Sequence, residues 1–401
     1  MKPSHIDWCP MIPDHWEEKR IKDIAFLQSG NSITAMDFVE DGKFPVYGGN
    51  GLRGYTNTYT NEGDYVLIGR QGALCGNINY AHGKFYASEH AVVVYPKKEE
   101  ITLWLGETLR TANLNRLSMT AAQPGLAVST LNLQFIPFPP KDERIRIAKY
   151  LDKKLSEIDH QVSLLTSKRD AYLRLKKSII NHAVTHGLDP NVKMKDSGIE
   201  WIGEVPEHWE VKRMKDIFFE RKELSLTGEE DLLSVSEFYG VARRKDKMNS
   251  DEEFESRADS LVGYKICKAH DLVINIMLAW KTGLGISDND GIVSPAYAVY
   301  EGRNIASHFY HYLLRSGMYV KEFKRHSKGI IDSRLRLYND RFNNISAIYP
   351  PLPEQRAIAA YLDDKCAKID TIVSNLDKQI SRCGDLKRSL IDEVITGKRA
   401  V

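Results

Sequence analysis

The sequence predicts an α+β protein in which two α/β domains are joined by two long antiparallel helices that form a coiled coil. Three observations support this fold class: a long helical segment occurs twice, an opening segment occurs twice, and a strand-rich stretch lies between them in each copy. An internal repeat of this size indicates two similar units related by a pseudo-twofold. The predicted boundaries are 1–140 for the first domain with its opening segment, 141–187 for the first helix, 188–351 for the linker and second domain, and 352–401 for the second helix.

The repeated helix begins after a proline pair in both copies, Pro139-Pro140 and Pro350-Pro351, and the two copies are separated by 211 residues. Tyr150-Leu151-Asp152 matches Tyr361-Leu362-Asp363 at this separation. A proline just before a helix and an acidic residue in its first turn are typical helix-start signals. The segment is therefore predicted to be one continuous helix in each copy.

Apolar residues recur along both helices at alternating steps of three and four. This period of 3.5 residues is the requirement for a coiled coil. A lone helix of this length with one apolar stripe is unstable in water, so the other copy is the expected partner. The alternative is that each helix packs on its own domain. The residues predicted to pack are Leu151, Leu155, Ile158, Val162 and Leu165 in the first copy, and Leu362, Ile369, Val373, Leu376 and Ile380 in the second.

Three basic residues, Arg169, Lys176 and Lys387, interrupt these apolar stripes. Polar residues in a coiled-coil seam can set the register of the helices. They could instead face a third protein, and the sequence leaves both readings open.

The opening segment repeats with a separation of 193 residues and contains a His-Trp pair each time, His15-Trp16 and His208-Trp209. Such a pair could bind a ligand or stack on one. Large aromatic side chains are more often buried, so we predict that Trp16 and Trp209 are packing anchors.

The middle of each repeat has runs of apolar residues ended by glycine or proline, at 64–69 and 91–95 in the first copy and at 271–276 and 296–300 in the second. These runs predict strands, and apolar periodicity predicts helices at about 102–117 and 306–326. Outside this shared plan the two middles differ in residue content almost everywhere. A scaffold that repeats while its loops differ indicates two similar jobs on different targets.

Composition places limits on function. The chain has 42% hydrophobic and 27% charged residues, no apolar run long enough for a bilayer and no signal-peptide layout, so a cytoplasmic location is expected. The net charge of +2 means that any nucleic-acid site must be a local patch. The five cysteines are scattered without metal-ligand spacing, so we predict reduced thiols and no metal site.

Catalytic motifs are not evident in the sequence. It contains no phosphate-binding glycine loop with Lys-Ser/Thr, no HExxH, no GxSxG and no methyltransferase signature with Asn-Pro-Pro. The expectation is that this chain is not an enzyme.

Loops rich in glycine, basic and amide residues are the remaining candidates for a binding site. Arg, Asn and Gln are the side chains that make paired hydrogen bonds to guanine or adenine edges. Any one of these residues could equally belong to a solvated surface. The residues predicted to contact DNA are Asn50, Arg53, Arg70, Gln71, Lys84 and Gln123 in the first middle, and Arg243, Arg244, Lys245, Lys247, Lys281, Arg334 and Arg336 in the second.

The chain resembles the specificity subunits of type I restriction-modification systems over nearly its whole length. The resemblance rests on the repeated Pro-Pro…Glu-x-x-x-Ile-Ala-x-Tyr-Leu-Asp helix start and the repeated Trp-x-x-x-x-Pro-x-His-Trp opening. Glu354-Gln355 fits the family pattern better than Glu143-Arg144, where arginine replaces glutamine.

The resemblance implies that the middles are target-recognition domains, each reading one half of a bipartite, asymmetric site in double-stranded DNA. It implies that the helices form a spacer that docks modification subunits, two in number, and that a restriction subunit also joins. S-adenosylmethionine, ATP and Mg would then be used by those partners, and this chain would bind no cofactor. The alternative function is a coiled-coil interaction scaffold without DNA specificity.

Overall fold

The computed structural model describes residues 1–97, 102–118, 124–246 and 260–401. The predicted contact residues Gln123 and Lys247 lie outside these ranges. The chain divides into two compact units, which we call unit 1 (residues 1–166 and 377–401) and unit 2 (residues 167–376). Each of the two long helices contributes one part to each unit.

Unit 1 is built on two four-stranded sheets. One sheet has the order β4-β11-β8-β9 and is antiparallel throughout, and the other has the order β6-β5-β10-β7 with β5 and β10 parallel. Residues Ala91–Val94 of β11 are fully buried at the centre of the first sheet. The elements are β1 (Lys2–Ile6), β2 (Cys9–Ile12), β3 (Glu17–Arg20), α1 (Ile21–Ile24), β4 (Ala25–Ser29), β5 (Phe44–Gly48), β6 (Gly51–Thr56), β7 (Asn61–Glu62), β8 (Tyr65–Gly69), β9 (Ile78–Ala81), β10 (Lys84–Ala87), β11 (Ala91–Pro96), α2 (Thr102–Thr111), α3 (Val128–Asn132), β12 (Phe135–Phe138) and α4 (Lys141–His186).

Unit 2 repeats most of this order among the described residues, with α6, α7 and α8 between β23 and β24 where unit 1 has α2 and α3. Two two-stranded sheets, β17-β18 and β19-β22, replace the second four-stranded sheet of unit 1. The four-stranded sheet β16-β23-β20-β21 corresponds strand by strand to β4-β11-β8-β9, so the predicted internal repeat is confirmed. The elements are β13 (Met194–Asp196), β14 (Glu204–Pro206), β15 (Glu210–Arg213), α5 (Met214–Ile217), β16 (Phe218–Glu220), β17 (Leu233–Ser236), β18 (Gly240–Arg243), β19 (Lys265–Cys267), β20 (Leu272–Asn275), β21 (Leu284–Ile286), β22 (Gly291–Val293), β23 (Tyr297–Gly302), α6 (Ser307–Leu314), α7 (Gly317–His326), α8 (Asn339–Asn343), β24 (Ser346–Tyr349) and α9 (Leu352–Ile395).

The repeated opening segment packs against the start of a long helix in each unit. Trp16 and Trp209 are fully buried, which confirms them as packing anchors. The preceding histidines bind the first-turn glutamates: His15 Nε2 lies 2.8 Å from Glu143, and His208 Nε2 lies 2.6 Å from Glu354. Each glutamate carboxylate therefore interacts favourably with the positive end of the helix dipole and also binds the opening segment to the helix N-terminus.

The long helices pair in an antiparallel manner within each unit. In unit 1 the Arg146 side chain donates to the Val401 carbonyl, and Lys387 donates to Asp159 at 2.7 Å. In unit 2 Lys176 donates to Asp370 at 2.6 Å. Both lysines come from the same position of the repeat, and so do both aspartates. Of the two readings of the basic interruptions, Lys176 and Lys387 thus fit the one in which they set register. Arg169 donates a hydrogen bond to its neighbour Asp170 at 3.0 Å.

The apolar stripes are covered inside each unit. In unit 1, Leu151, Leu155 and Ile158 are buried, Val162 and Leu165 are half-buried, and all five share one apolar cluster with Leu390 and Val394 of α9. In unit 2, Ala183 and Val184 of α4 share a cluster with Ile358 and Leu362 of α9. Ile369 and Leu376 are buried, and Val373 and Ile380 are half-buried. Packing of each helix on its own domain alone does not account for these clusters.

The Lys387–Asp159 pair generates a stability prediction. Lys387→Asp places two carboxylates opposite each other between antiparallel helices, and we expect the free energy of unfolding to fall by about 1 kcal/mol. The exchanged variant, Lys387→Asp with Asp159→Lys, restores opposite charges and should recover most of the loss. Urea unfolding followed by circular dichroism measures both. If the exchanged variant is as unstable as the single one, this pair does not set the register.

Candidate nucleic-acid interface

Three loop segments of unit 1 meet at one place. The first is the tip of the β5–β6 hairpin, residues 48–51, and the second is the turn after β8, residues 70–76. The third is residues 124–126, which the backbone attaches to that turn: Gly72 N donates to the Pro124 carbonyl and Leu126 N donates to the Arg70 carbonyl, both at 2.9 Å. The hairpin tip and the turn face each other across a cleft of 640 Å³.

This cleft brings together three of the residues that the sequence analysis singled out: Asn50 and Arg53 from the β5–β6 hairpin, and Gln71 from the turn after β8. The Asn50 side-chain oxygen accepts a hydrogen bond from Asn77 at 2.8 Å, so its amide is held in place. Arg70 lies beside Gln71 and donates to the Ser29 hydroxyl at 3.2 Å. His90, which the sequence analysis did not select, also lines the cleft.

Unit 2 gathers three corresponding segments. The tip of the β17–β18 hairpin is residues 237–239, and the Thr282 hydroxyl in the turn after β20 donates to the Glu237 carbonyl at 2.7 Å. The segment 327–336 is joined to the same turn because Leu337 N donates to the Ile276 carbonyl at 2.8 Å. Leu337 lies 211 residues after Leu126, so the third segment attaches at the same point of both repeats. The loops therefore differ in sequence but occupy equivalent places.

The basic run 243–245 lies at the other end of the hairpin from its tip. Asp231 forms ion pairs with both Arg243, at 3.3 Å, and Lys245, at 2.7 Å. One carboxylate thus offsets part of the charge that made this run conspicuous in the sequence. Arg244 follows directly, and its backbone N–H donates to the Leu232 carbonyl.

The remaining predicted residues fall into two groups. Lys281, Arg334 and Arg336 lie on two of the three converging segments of unit 2, the turn after β20 and residues 327–336. The Lys281 ammonium sits 4.9 Å from the centre of the Trp280 ring. Lys84 lies instead on β10, close to Glu62 and over the Tyr59 ring.

Sequence reasoning missed the aromatic pair at the second hairpin tip. Phe238 is 90% exposed, and Tyr239 follows it before Gly240, whose φ is +84°. An aromatic pair followed by a glycine between two short β-prone runs is a usable hairpin-tip signal. The aromatic pair was not selected because only basic and amide side chains were considered as DNA contacts.

Comparison with known proteins identifies the family of this chain. A family profile described as "Type I restriction modification DNA specificity domain" matches the chain twice, at residues 13–164 and 206–382, which together are more than half of its length. The chain belongs to this family. It is a specificity subunit whose role in DNA recognition follows from that membership, and one matched stretch lies within each of the two repeats.

Relatives of the specificity subunit agree with this assignment. It is 40% identical over 141 residues to the type I restriction enzyme EcoprrI specificity subunit of Escherichia coli, a match that covers 34% of this chain and about a third (35%) of that relative. It is 22% identical over 417 residues to the MjaVIII specificity subunit of Methanocaldococcus jannaschii, covering 96% of this chain and 93% of that one.

Solved structures share the fold. A chain from work on complex assembly and conformational transition of the type I R-M system aligns with a TM-score of 0.69 at 15% identity, covering 97% of this chain and all of that one. The HsdS subunit of Thermoanaerobacter tengcongensis aligns with a TM-score of 0.50 at 14% identity, covering 97% and 98% of the two chains. The predicted combination of two recognition domains with long helices is confirmed.

The specificity subunit offers no evident reactive thiol or metal cluster among its described residues. All five cysteines are free and buried, and burial raises the pKa of Cys9 to about 11 and that of Cys267 to about 12. In the described ranges, no group of three or more His, Cys, Asp or Glu side chains is placed to hold a metal ion. None of the described helices is both long and apolar enough to cross a membrane.

Proposed function

We propose that this specificity subunit reads a bipartite, asymmetric DNA site, with each unit contacting one half-site through its three converging segments. The observation that carries the proposal is that equivalent places in the two units hold different side chains: Asn50 at one hairpin tip and Phe238 at the other. Different side chains at base edges select different sequences. Two readers in one chain then recognise a site without internal symmetry.

The chain itself carries no catalytic step in this proposal. Methyl transfer from S-adenosylmethionine and cleavage driven by ATP and Mg belong to modification and restriction subunits. All of this takes place in the cytoplasm. The backbone-anchored segments of each unit position side chains at base edges, while exposed cations such as Arg334 contact phosphates.

Two modification subunits dock on the long helices in this proposal. Leu175 and Leu386 occupy the same position of the repeat and are 47% and 56% exposed, in unit 2 and unit 1 respectively. An apolar side chain exposed at the same repeat position in each unit suits two copies of one partner bound in the same way.

The overall function is tested by sequencing adenine methylation in the host with and without this gene. We expect methylation at a two-part asymmetric motif that disappears on deletion. With modification subunits present, the purified chain should retard a duplex that carries both half-sites and should fail to retard duplexes that carry either half alone. An unchanged methylation pattern would instead favour the interaction scaffold.

Arg70 tests the assignment of unit 1 to one half-site. Arg70→Ala should relax sequence discrimination at the first half-site by about tenfold per base pair contacted and leave the second unchanged. Measuring binding against a panel of single-base variants of both halves distinguishes this result. Uniform weakening across all sequences would mark Arg70 as a phosphate contact. Lys84→Ala serves as the comparison, because Lys84 is a cation on β10, outside the three converging segments.

Docking is tested by the stoichiometry of the complex. Leu175→Glu or Leu386→Glu places a charge at one docking position, so each single variant should bind one modification subunit where the unaltered chain binds two. The double variant should bind none, as measured by native mass spectrometry. Leu164→Glu is the matched control because Leu164 is 57% exposed but corresponds to Asn375 in the other repeat. Full stoichiometry in the double variant would exclude these positions.

A further inference from the structure

Phe238 is exposed at the hairpin tip of unit 2, which is one of the three segments proposed to contact the second half-site. Its hairpin corresponds to β5–β6 of unit 1: β5 pairs in parallel with β10, and Leu232, just before β17, forms a parallel bridge with Ile292 of β22. In both hairpins a glycine with positive φ follows the tip, Gly51 in unit 1 and Gly240 in unit 2. The two hairpins therefore occupy equivalent places, with Phe238 at the tip of one and Asn50 at the tip of the other.

The backbone that carries Phe238 is anchored by one arginine. Arg315, which follows α6 and is half-buried, donates four hydrogen bonds to main-chain carbonyls of two loops. One terminal nitrogen reaches the Thr282 and Leu284 carbonyls, both at 2.7 Å, and the other reaches the carbonyls of Glu237, at 3.0 Å, and Phe238, at 3.1 Å. A planar guanidinium can hold this fixed array, whereas a lysine ammonium cannot.

Other contacts restrict the same tip. The Ser236 hydroxyl accepts from the Phe238 backbone N–H at 3.1 Å, and Thr282 holds the Glu237 carbonyl. A side chain on Gly240 would meet the His311 ring at 3.0 Å, so the strand after the tip lies directly against α6. Burial, with a smaller effect of Arg315, lowers the pKa of His311 to about 3, so this ring is neutral beside the guanidinium at neutral pH.

A large apolar side chain held in the open by a fixed backbone is preorganised for contact. It loses little conformational freedom when a partner arrives, which favours binding. Phenylalanine has no group that can bond to a phosphate or to the polar atoms of a base edge. Among the features exposed in the major groove, the 5-methyl group of thymine is the apolar one.

We infer that Phe238 is a specificity-determining residue of the second half-site, where it contacts a thymine methyl group, and that Arg315 is the positioning residue that presents it. The inference rests on the proposed function and adds to it the chemistry of one contact. Unit 1 then presents an amide and unit 2 an aromatic ring at the tip of the corresponding hairpin.

The test removes one methyl group at a time from the DNA. The complex of this chain with its modification subunits is titrated with duplexes in which each thymine of the second half-site is replaced in turn by deoxyuridine. The unaltered chain should lose about fourfold in affinity at one position, the value for one buried methyl group. Phe238→Ala should bind the parent duplex about tenfold more weakly and should no longer distinguish thymine from deoxyuridine there.

Two further variants separate contact from positioning. Leu226→Ala removes an apolar side chain that is 88% exposed in the same unit but outside the three segments, and it should respond to deoxyuridine as the unaltered chain does. Arg315→Lys keeps the charge and the phenylalanine but not the four hydrogen bonds, so it should lose the deoxyuridine response. Its discrimination at the other base pairs of the second half-site, which is also read by unit 2, should stay intact and serves as the folding control.

The contrary outcomes are distinct. If no thymine responds in the unaltered chain, or if Phe238→Ala still responds, the thymine contact is wrong. Weakening by Phe238→Ala without any deoxyuridine response in the unaltered chain would indicate insertion between bases instead. A response retained by Arg315→Lys removes the positioning role. Failure of the unaltered complex to select any bipartite duplex would instead overturn the proposed function itself.

Discussion

The apolar stripe along each long helix is the constraint on which the rest of the structure depends. Neither α4, with 46 residues, nor α9, with 44, can be stable in water with that stripe uncovered. Each unit covers part of both stripes by pairing antiparallel helices and packing the pair on a globular region. Because apolar packing along a stripe is tolerant of sliding, a polar pair is needed to select one alignment. The lysine–aspartate pairs, Lys387–Asp159 and Lys176–Asp370, join the two helices at the observed alignment in each unit.

Much of the fold could be predicted because the same pattern of residues occurs twice in the chain. The repeat and the period of 3.5 located the two long helices, and the apolar runs located β8, β11, β20 and β23. Periodicity placed the shorter helices less well: α2 ends at Thr111 and not near residue 117, and the helix predicted at 306–326 is divided into α6 and α7. The aspartate partners of Lys176 and Lys387 could not be read from the sequence, since a seam position faces several residues of an unknown neighbour. The packing residues follow from a local period, whereas the choice of ion-pair partner depends on the alignment of two distant segments.

The candidate site was harder to predict for a related reason. Asn50, Arg53 and Gln71 were selected by residue type, and their meeting in one cleft depends on a hairpin folding over a strand end. Charge density drew attention to Arg243 and Lys245, but Asp231, twelve residues before Arg243, partly offsets both cations. Selection by charge and hydrogen-bonding capacity also passed over Phe238. The anchoring of its loop by Arg315 is a tertiary contact across about 77 residues, which no local pattern encodes.

One substitution between the repeats shows how the scaffold tolerates change while keeping its function. Gln355 is fully buried, donates to the Pro350 carbonyl at 2.8 Å and accepts from the Ala306 backbone N–H. At the equivalent position Arg144 donates to the Pro139 carbonyl at 2.6 Å, and its guanidinium lies 4.0 Å from the centre of the Phe138 ring. The proline carbonyl before the helix is satisfied in both cases, while the other contacts of the side chain differ.

The exposed tip of the β17–β18 hairpin differs from these buried positions, because its side chain contributes little to the free energy of folding. A phenylalanine left 90% in water gains almost none of the stabilisation that burial would bring. The fold nonetheless uses the four hydrogen bonds of Arg315 and the Thr282 hydroxyl to hold its backbone still. At buried positions such as 144 and 355, the side chain must therefore be able to donate a hydrogen bond to the proline carbonyl. At positions 50 and 238 the backbone is held in place, while the type of side chain is free to vary. A chain with an internal repeat can therefore keep one scaffold while the exposed side chains of each recognition domain change independently.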